Sequence, residues 1–514
     1  MIRRRSGPVQ FETWAAAAAA LLFVLAFPPV PLVVPAFVCL VPYALVVERM
    51  AAARARWTRA FRFGLIAGGL AYALSLYWIA FALAIYTKLA FLGYFGALLV
   101  LAPICGAGTA AVLVMRRSLK LPYAVTLPLA WVSVEMVMMH MSDLAFPWLP
   151  LGLAVARVPV LAQAADLSGE HGLSVWVAAT NGLLVDAWLL RADRRAVAVR
   201  VAAVLALVAA MWGYGSWRLA TVTTHPVAEI AVVQPNVPQE DKWQEQNQGR
   251  ILGMLLSGSV RALALDTPQL VLWPEAALPG FLPDHPDWAT DVGALAAQSH
   301  TPILFGVLDV DFPAPGEFEY FNAAMLADST GSLRSQPPYH KRELVPVVER
   351  VPFLNPRWFA KLRFFGGFGR GGSDQPPFTL PFGKVGVLIC YESIFPDIAR
   401  EYRRAGASLV VNITNDAWFG RSLAPWQHEA HLALRAIEER VGIVRAANTG
   451  ISSYIDPLGR IHGETEIFTT AARSYRAEST DMRTLFVMTG DWAGWLCVVG
   501  TLALLARARV APRS

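Results

Sequence analysis

Cys390 ends an apolar run, KVGVLIC, and is followed by Tyr391-Glu392-Ser393. The run predicts a strand that enters a turn, which would present the thiol at the edge of a sheet. The thiolate is the reactive form of cysteine, and a nearby positive charge or base is needed to populate it. The other three cysteines, Cys39, Cys105 and Cys497, lie in apolar runs typical of small buried hydrophobes. By position alone, a buried structural cysteine is the commoner interpretation of Cys390 as well.

Glu275 and Lys341 could supply the base and the positive charge. Glu275, in LVLWPEAALP, follows a predicted strand and stands between prolines. Apolar neighbours such as Trp273 are expected to raise its carboxyl pKa and suit it to general base catalysis. Lys341, in YHKRELVP, could stabilise an oxyanion or hold a thiolate ionised. Taken singly, each also fits an ordinary exposed charge in a turn.

The composition is that of a membrane protein. Of the 514 residues, 55% are hydrophobic and 16% are charged, whereas soluble domains carry about 25% charged residues. Mean hydropathy is +0.43. The net charge of +6 is too small to imply nucleic acid binding. The four cysteines offer neither a disulfide framework nor a paired zinc motif.

Apolar stretches long enough to span a bilayer occur at both ends of the chain. Seven precede residue 220, at roughly 14–28, 31–48, 62–86, 89–115, 122–141, 171–190 and 196–216, and an eighth covers about 485–506. The first follows Arg3-Arg4-Arg5 and lacks a clear cleavage site, so we interpret it as an uncleaved span. These stretches predict a seven-helix transmembrane domain at 1–220 and a C-terminal transmembrane helix with a cytoplasmic tail at 485–514.

The basic residues of the short loops predict the orientation of these spans. Arginines and lysines concentrate in alternate loops, which places both termini in the cytoplasm by the positive-inside rule. Residues 221–484 would then face the periplasm of a bacterial cell. The basic loops carry Arg3–Arg5, Arg49, Arg54, Arg56, Arg59, Arg62, Arg116, Arg117, Lys120, Arg191, Arg194, Arg195, Arg200, Arg507, Arg509 and Arg513.

The segment 221–484 predicts an α/β domain, because short β-branched runs alternate with turns and helical stretches. A helix is expected over about 425–446, a strand entering a turn at Asp456-Pro457-Leu458-Gly459, and a mobile, Gly-rich loop at Arg363–Gly372. The predicted strands are Glu229–Gln234, Gln269–Trp273, Ile303–Val310, Ala323–Asp328, Val385–Cys390 and Ser408–Ile413.

Several motifs occur together in one order. WPE, HKR and LICYE, which contain Glu275, Lys341 and Cys390, resemble the Glu–Lys–Cys triad of the nitrilase superfamily over residues 227–475. VVQPNVPQEDKW, YFNAAML, LVPVVERVPF and VVNITNDAWFG match as well. With the flanking spans, the chain resembles the membrane branch of that superfamily, the apolipoprotein N-acyltransferases.

The resemblance implies an α-β-β-α sandwich and a role for each site residue. Glu275 would be the general base, Lys341 the oxyanion stabiliser and Cys390 the nucleophile. Of the supporting residues, Glu349 would orient Lys341 or the thiol, Glu392 would position the turn, and the backbone N–H of Tyr391 would donate to an oxyanion, while Trp243 matches a family tryptophan near the site. One departure is that Val347-Val348-Glu349 replaces a frequent Phe-Gly-Glu, which removes a glycine from the turn.

The resemblance also implies an activity. An acyl group, from the sn-1 position of a membrane phospholipid, would pass through a thioester on Cys390 to the α-amine of a diacylglyceryl-modified apolipoprotein, as the last step of lipoprotein maturation. A monomer without cofactor or metal is expected. The alternatives are a membrane-tethered amidase that hydrolyses small amides and a transporter with an extramembrane binding domain. The few ionisable residues in the spans disfavour the transporter.

The remaining polar residues suggest structural roles. His428 and His431 have the wrong spacing for a metalloprotease helix and predict a pair on a helix surface. Asn412, Asn415 and Asp416 are expected to shape a turn, with a smaller chance of lining the pocket. Trp418 and Phe419 fit either a core plug or an apolar lip, and the carboxylates Glu135 and Asp186 in or near the spans have no predicted role.

Overall fold

The computed structural model describes residues 8–84, 90–312, 318–359 and 366–510. The chain divides into two compact units. Unit 1 comprises Met1–Met141, Ala145–Thr221 and Thr489–Ser514, and unit 2 comprises Ser142–Leu144 and Val222–Met488.

Unit 1 is helical. Its helices in the described residues are α1 (Pro8–Leu25), α2 (Leu40–Ala52), α3 (Trp57–Ser75), α4 (Trp78–Ala84), α5 (Ala90–Leu119), α6 (Tyr123–Met139), α7 (Pro159–Ala162), α8 (Ala165–Leu189, interrupted at Gly169), α9 (Arg194–Thr221) and, after unit 2, α16 (Trp492–Val510). Small residues let α3 and α5 approach closely: a Cβ on Gly64 would lie 1.8 Å from Oγ1 of Thr109.

The predicted count of eight spans is not confirmed by the helices of the described residues. Five helices in the described residues are long and apolar enough to cross a membrane: Val34–Ala52, Phe91–Leu119, Ala165–Leu189, Arg194–Thr221 and Trp492–Val510. Gln10–Leu25 and Tyr123–Met139 are shorter apolar helices. The span predicted at 62–86 is broken after Ser75, and its residues 85 and 86 lie outside the described residues, as do Arg3–Arg5 and Arg513. The count of eight stays a prediction.

The two unassigned carboxylates of unit 1 both accept backbone hydrogen bonds. Asp186 accepts from the N–H groups of Tyr123 and Ala124, at 2.9 and 3.0 Å, and so caps the N-terminus of α6. Glu135 accepts from the N–H of Leu151 and from Nε1 of Trp131, both at 2.8 Å. These contacts give both residues a structural role, since a helix terminus in an apolar unit needs its N–H groups satisfied.

Unit 2 contains two sheets. Its strands are β1 (His225–Gln234), β2 (Leu270–Leu272), β3 (Leu278–Phe281), β4 (Ile303–Asp311), β5 (Glu319–Ala327), β6 (Tyr339–His340), β7 (Phe378–Leu380), β8 (Gly383–Ile389), β9 (Ala407–Thr414), β10 (Gly442–Ala447), β11 (Ser453–Ile455), β12 (Ile461–His462) and β13 (Ala471–Ser479). One sheet has the order β13-β1-β2-β4-β5-β6, with β3 beside β4, and the other β12-β11-β10-β9-β8-β7. All six predicted strands are present.

The sheets pack face to face with helices outside them. The helices are α10 (Gln239–Lys242), α11 (Gln248–Leu265), α12 (Pro286–Ser299), α13 (Pro396–Arg404), α14 (Ala424–Glu439) and α15 (Leu485–Thr489), the last reaching the unit boundary. Alternation along β1 sends Ile230 and Val232 to the core between the sheets, and Ala231 and Val233 to the core under α11 and α12. The predicted α/β sandwich is confirmed.

The helix predicted over 425–446 is wrong in its last part. Helix α14 ends at Glu439, Arg440 takes a left-handed conformation with φ of 51°, and the chain continues as β10. The β-branched residues Ile443 and Val444 pair with Val410 and Val411 of β9, so sheet pairing overrides the helical spacing. The turn predicted at Asp456–Gly459 is confirmed, with Gly459 at φ of 78° after strand β11.

Candidate active site

Glu275, Lys341 and Cys390 each follow the end of a strand, β2, β6 and β8 respectively. All three side chains are buried. Nζ of Lys341 lies 3.2 Å from Oε1 of Glu275, and the charges of both act on the Cys390 thiol. The fold therefore brings the three predicted residues into one site.

Two further residues complete the hydrogen bonding of the carboxylates. Glu349 accepts from Nζ of Lys341 at 2.9 Å and from the backbone N–H of Val345 at 2.8 Å. Asn322, on β5, donates from Nδ2 to Oε1 of both Glu275 and Glu349, at 2.7 and 2.9 Å. The contact between Glu349 and Nζ of Lys341 is the one expected of a residue that orients this lysine.

The carboxyl pKa of Glu275 is lowered, which corrects the expectation of a raised value. Burial by itself raises the pKa, but the positive charges of Lys341 and Lys242 and the hydrogen bond from Asn322 together outweigh burial. The backbone N–H of Asn415 also donates to Oε2 of Glu275, at 2.9 Å. Glu275 is thus ionised at neutral pH, the form that a base requires.

The pKa values of the other two members of the triad, Cys390 and Lys341, are both raised. Burial raises the pKa of the Cys390 thiol, and the negative charge of Glu275 adds to this effect while Lys341 opposes it. The pKa of Lys341 is raised, because Glu275 and Glu349 outweigh the burial that would lower it. At neutral pH the resting site therefore contains a thiol, a carboxylate and an ammonium group.

Glu392 holds the turn that carries Cys390. Its Oε2 accepts from the backbone N–H of Ile389 at 2.7 Å, and its Oε1 accepts from the Tyr339 hydroxyl at 2.7 Å and the Arg342 N–H at 2.6 Å. Burial raises the pKa of Glu392 to about 7. Cys390 itself has φ of 51°, a left-handed conformation that a non-glycine residue adopts only when its surroundings hold it there.

Two supporting residues are aromatic: Tyr391, which lies in this turn, and Trp243, which lies beside Lys242. The ring of Tyr391 is buried and packs edge-on against Phe395, with ring centroids 5.3 Å apart. Trp243 is partly buried, packs against a cluster that includes Tyr320 and Phe368, and has its ring centroid 6.0 Å from Nζ of Lys242.

Lys242 is a site residue that sequence reasoning missed. It is 2% exposed, donates from Nζ to the backbone carbonyl of Glu275 at 3.0 Å, and has a pKa lowered to about 8 by burial. Its position in the matched segment VVQPNVPQEDKW was the available signal. Asn322, in YFNAAML, carried a similar signal, whereas the contact of Asn415 with Glu275 involves a backbone group that no residue pattern reveals.

His428 and His431 are fully buried, so the predicted surface pair is wrong. Nε2 of His428 lies 3.0 Å from the carbonyl oxygen of Cys390, and Asp416 lies beside Nδ1 at 3.1 Å. Asp416 is thus part of a buried network behind the nucleophile, not only a turn residue. No group of three potential metal ligands occurs in the described part of the chain.

The replaced glycine leaves Glu349 in place. Val347 takes φ of 69°, and the turn is closed by hydrogen bonds from the N–H of Val347 to the Arg350 carbonyl and from the N–H of Glu349 to the Val345 carbonyl, at 2.8 and 3.0 Å. Val348 is the residue that stands where the family often has glycine, whereas the positive φ falls on Val347, and Glu349 still reaches Lys341.

The Gly-rich segment 363–372 is only partly described, since residues 363–365 lie outside the described residues. The remainder is tied to the site by backbone hydrogen bonds. The N–H of Phe368 donates to the Glu349 carbonyl and that of Gly371 to the Lys341 carbonyl, both at 2.9 Å. This part of the segment forms a wall beside Lys341 and Glu349.

Comparison with known proteins covers both units. The family model for the carbon-nitrogen hydrolase domain matches residues 229–472, and that for the apolipoprotein N-acyltransferase N-terminal domain matches 19–183. The apolipoprotein N-acyltransferase of Geobacter metallireducens is 34% identical over 88% of this chain and 87% of its own length. The chain belongs to the apolipoprotein N-acyltransferase family. The family member of Chlorobaculum tepidum is 29% identical over 74% of this chain and 76% of its own length.

Solved structures match about half of this chain, at lower sequence identity. An amidase from Nesterenkonia sp. AN1, solved with a covalent addition at its active site cysteine, is 20% identical, with a TM-score of 0.37 over 51% of this chain and 94% of its own. A carbon-nitrogen hydrolase from Helicobacter pylori is 16% identical, with a TM-score of 0.37 over 49% of this chain and 89% of its own. The family assignment and the apolar helices identify a bacterial membrane protein and an acyltransferase of the nitrilase superfamily that acts in lipoprotein biosynthesis.

Proposed function

We propose that this enzyme transfers a fatty acyl group from the sn-1 position of a membrane phospholipid to the α-amine of a diacylglyceryl-modified apolipoprotein, through a thioester on Cys390. The observation that carries the proposal is the buried contact of Lys341 with Glu275 beside this thiol. The names of the relatives support the lipoprotein acceptor. The apolar helices of unit 1 support a lipid donor, because they tether the enzyme to the bilayer in which phospholipids lie.

In the first step, Cys390 attacks the ester carbonyl of the phospholipid. The resting residue is a thiol, so its proton must leave as the C–S bond forms, and the ionised carboxylate of Glu275 accepts it. The ammonium of Lys341 and the backbone N–H of Tyr391 stabilise the oxyanion. Glu275 then returns the proton to the departing lysophospholipid oxygen, which leaves an acyl thioester on Cys390.

In the second step, the neutral α-amine of the apolipoprotein attacks this thioester. An α-amine has a pKa of about 8, so a useful fraction is neutral near pH 7. Glu275 takes a proton from the attacking nitrogen and delivers it to the departing Cys390 sulfur. The product is an amide, the free thiol is restored, and the kinetics are ping-pong.

The supporting residues act on these groups rather than on the substrate. Glu349 holds the Lys341 ammonium, and Glu392 holds the turn of Cys390. Trp243 contacts Lys242 and so lies at the border of the site.

The catalytic site lies in the periplasm, both termini are cytoplasmic, and the enzyme works as a monomer. The orientation is supported by the arginine-rich loops at residues 49–62, 116–120 and 191–200.

Intact mass spectrometry tests the donor and the intermediate. Purified full-length enzyme in detergent is mixed with a phospholipid that carries different chains at sn-1 and sn-2, without acceptor. We expect an adduct with the mass of the sn-1 chain that is missing in Cys390→Ala. A mass equal to the sn-2 chain would refute the regiochemistry, and no adduct under conditions of turnover would refute the thioester.

A chase with acceptor tests the transfer. A diacylglyceryl lipopeptide with a free α-amine should discharge the adduct and gain its mass, whereas the N-acetylated form of the same peptide should leave the adduct in place. Discharge to free fatty acid with both peptides would mean that water is the acceptor, which would favour a tethered hydrolase.

A further inference from the structure

The side chain of His428 contacts the backbone of Cys390, the proposed nucleophile. Nε2 of His428 lies 3.0 Å from the carbonyl oxygen of Cys390, and both residues are buried. A carbonyl oxygen can only accept a hydrogen bond, so Nε2 must carry the proton. Helix α14 thus places one donor on the residue whose thiol is the proposed nucleophile.

The second ring nitrogen is held by a buried ion pair. Nδ1 of His428 lies 3.1 Å from Nη2 of Arg445, which also contacts Oδ2 of Asp416. Oδ1 of Asp416 also lies 3.1 Å from Nδ1, so this nitrogen faces both a donor and an acceptor. The contact with the Cys390 carbonyl therefore fixes the tautomer: a neutral ring carries its proton on Nε2, and Nδ1 then accepts from Arg445. Burial and the charge of Arg445 lower the pKa of His428 and outweigh the contact with Asp416, which raises it, in agreement with a neutral ring. Nη1 of Arg445 is fixed in turn by Oδ1 of Asn412 at 3.0 Å.

The Cys390 carbonyl and the Tyr391 N–H belong to one peptide group. A trans peptide is planar, with its C=O and N–H pointing in opposite directions. A donor that fixes the direction of the carbonyl therefore also fixes the direction of the N–H. Because Cys390 has a left-handed φ of 51°, this peptide plane needs such an external contact to stay where it is.

We propose that His428 is a positioning residue for oxyanion stabilisation: by holding the Cys390 carbonyl, it aims the backbone N–H of Tyr391 at the oxyanion formed in each acyl-transfer step. The inference rests on the proposed function, since it assumes acyl transfer to Cys390. Both formation and discharge of the thioester pass through a tetrahedral oxyanion, so loss of this alignment slows both steps. Loss of one oxyanion donor reduces turnover roughly 100- to 1,000-fold.

Alkylation separates this role from a general effect on the thiol. Iodoacetamide reacts with Cys390 by displacement at a saturated carbon, and that reaction forms no oxyanion. Removal of the His428 donor should therefore slow acylation by a p-nitrophenyl ester roughly 100- to 1,000-fold while alkylation of Cys390 stays within about threefold of wild type. A role in folding or thiolate formation would slow both reactions in parallel.

Three variants of position 428 make the test specific. His428→Phe keeps a ring of similar size without a donor. In His428→Gln the side-chain amide nitrogen can take the place of Nε2, and in His428→Asn it can reach only the place of Nδ1. We expect Gln to recover most of the acylation rate and Asn to recover none. His431→Phe, at an equally buried histidine of the same helix, controls for the loss of a buried imidazole.

The full-length enzyme in detergent is assayed with the ester, with phospholipid and with iodoacetamide. Slow acylation, normal alkylation and rescue by Gln would establish the positioning role. Equal acylation by Phe, Asn and wild type, or a parallel loss of alkylation, would overturn it. If wild type reacts with the ester but not with phospholipid, the proposed donor is wrong, and the comparison at position 428 still decides the present inference. Should His428→Phe fail to fold, the Gln and Asn pair decides it.

Discussion

Nζ of Lys341 lies 3.2 Å from Oε1 of Glu275, inside unit 2. The same nitrogen lies 2.9 Å from Oε1 of Glu349, so one ammonium is shared by two carboxylates. This arrangement keeps Glu275 ionised in spite of its burial and keeps Lys341 charged. The contact therefore holds the proposed base and the proposed oxyanion stabiliser next to each other in their charged forms.

Replacing Glu275 with Gln should slow formation of the acyl-enzyme by roughly 100- to 10,000-fold, because the amide cannot accept the thiol proton. The amide oxygen can still accept from Lys341 and Asn322, whereas the hydrogen bond from the Asn415 N–H is lost because the amide nitrogen is itself a donor. Single-turnover acylation followed by intact mass spectrometry measures the effect. Glu240→Gln, at an exposed position, is the matched control and should behave as wild type. An unchanged rate in Glu275→Gln would exclude it as the base.

Replacing Lys242 with Met should move the acidic limb of the kcat/KM profile to higher pH. The charge of Lys242 lowers the pKa of Glu275, so its removal raises that pKa, and the base becomes protonated earlier as pH falls. Activity at pH 5 relative to pH 7 should drop several-fold. The profile of Lys384→Met, which removes an exposed lysine, should overlay wild type. A shift in the opposite direction would contradict the assigned electrostatics.

Replacing Glu349 with Gln should move the alkaline limb of the same profile to lower pH. The negative charge of Glu349 helps to raise the pKa of Lys341, so its loss lets the ammonium deprotonate at lower pH. Single-turnover rates from pH 7 to 10.5 measure the limb, and Glu245→Gln at an exposed position is the control. If the alkaline limb of the pH–rate profile does not move in Glu349→Gln, the pKa of Lys341 does not depend on Glu349.

Replacing Val347 with Gly should stabilise the enzyme. Val347 has φ of 69° and is 40% exposed, so little packing is lost. Left-handed backbone costs a non-glycine residue roughly 1–2 kcal/mol, and glycine adds about 0.5–1 kcal/mol of unfolded-state entropy, which leaves a gain of about 1 kcal/mol. The thermal unfolding midpoint in detergent measures it. Val348→Gly, at the next residue, should lower the midpoint; a lower midpoint in both variants would refute the strain.

Local patterns in the sequence were sufficient for much of the fold. The alternation in EIAVVQ predicted β1, and KVGVLIC predicted β8 with Cys390 at its end. The same reasoning failed for residues 440–446, because pairing of β10 with β9 is a contact between segments distant in the chain. It also failed for the pKa of Glu275, since Trp273 is adjacent in sequence while Lys341 and Lys242 are not.

The sequence by itself determined the membrane character, the two-part organisation as a prediction, and the strand ends at which Glu275 and Cys390 stand, because composition and periodicity are local properties. Only the tertiary structure decided that Lys242 and His428 belong to the site. The sequence predicted His428 on a helix surface and did not single out Lys242, since a histidine on a helix and a lysine beside acidic neighbours are usually solvated. Whether such groups meet water or a partner depends on what the rest of the chain packs against them, and that is decided by contacts between residues far apart in sequence.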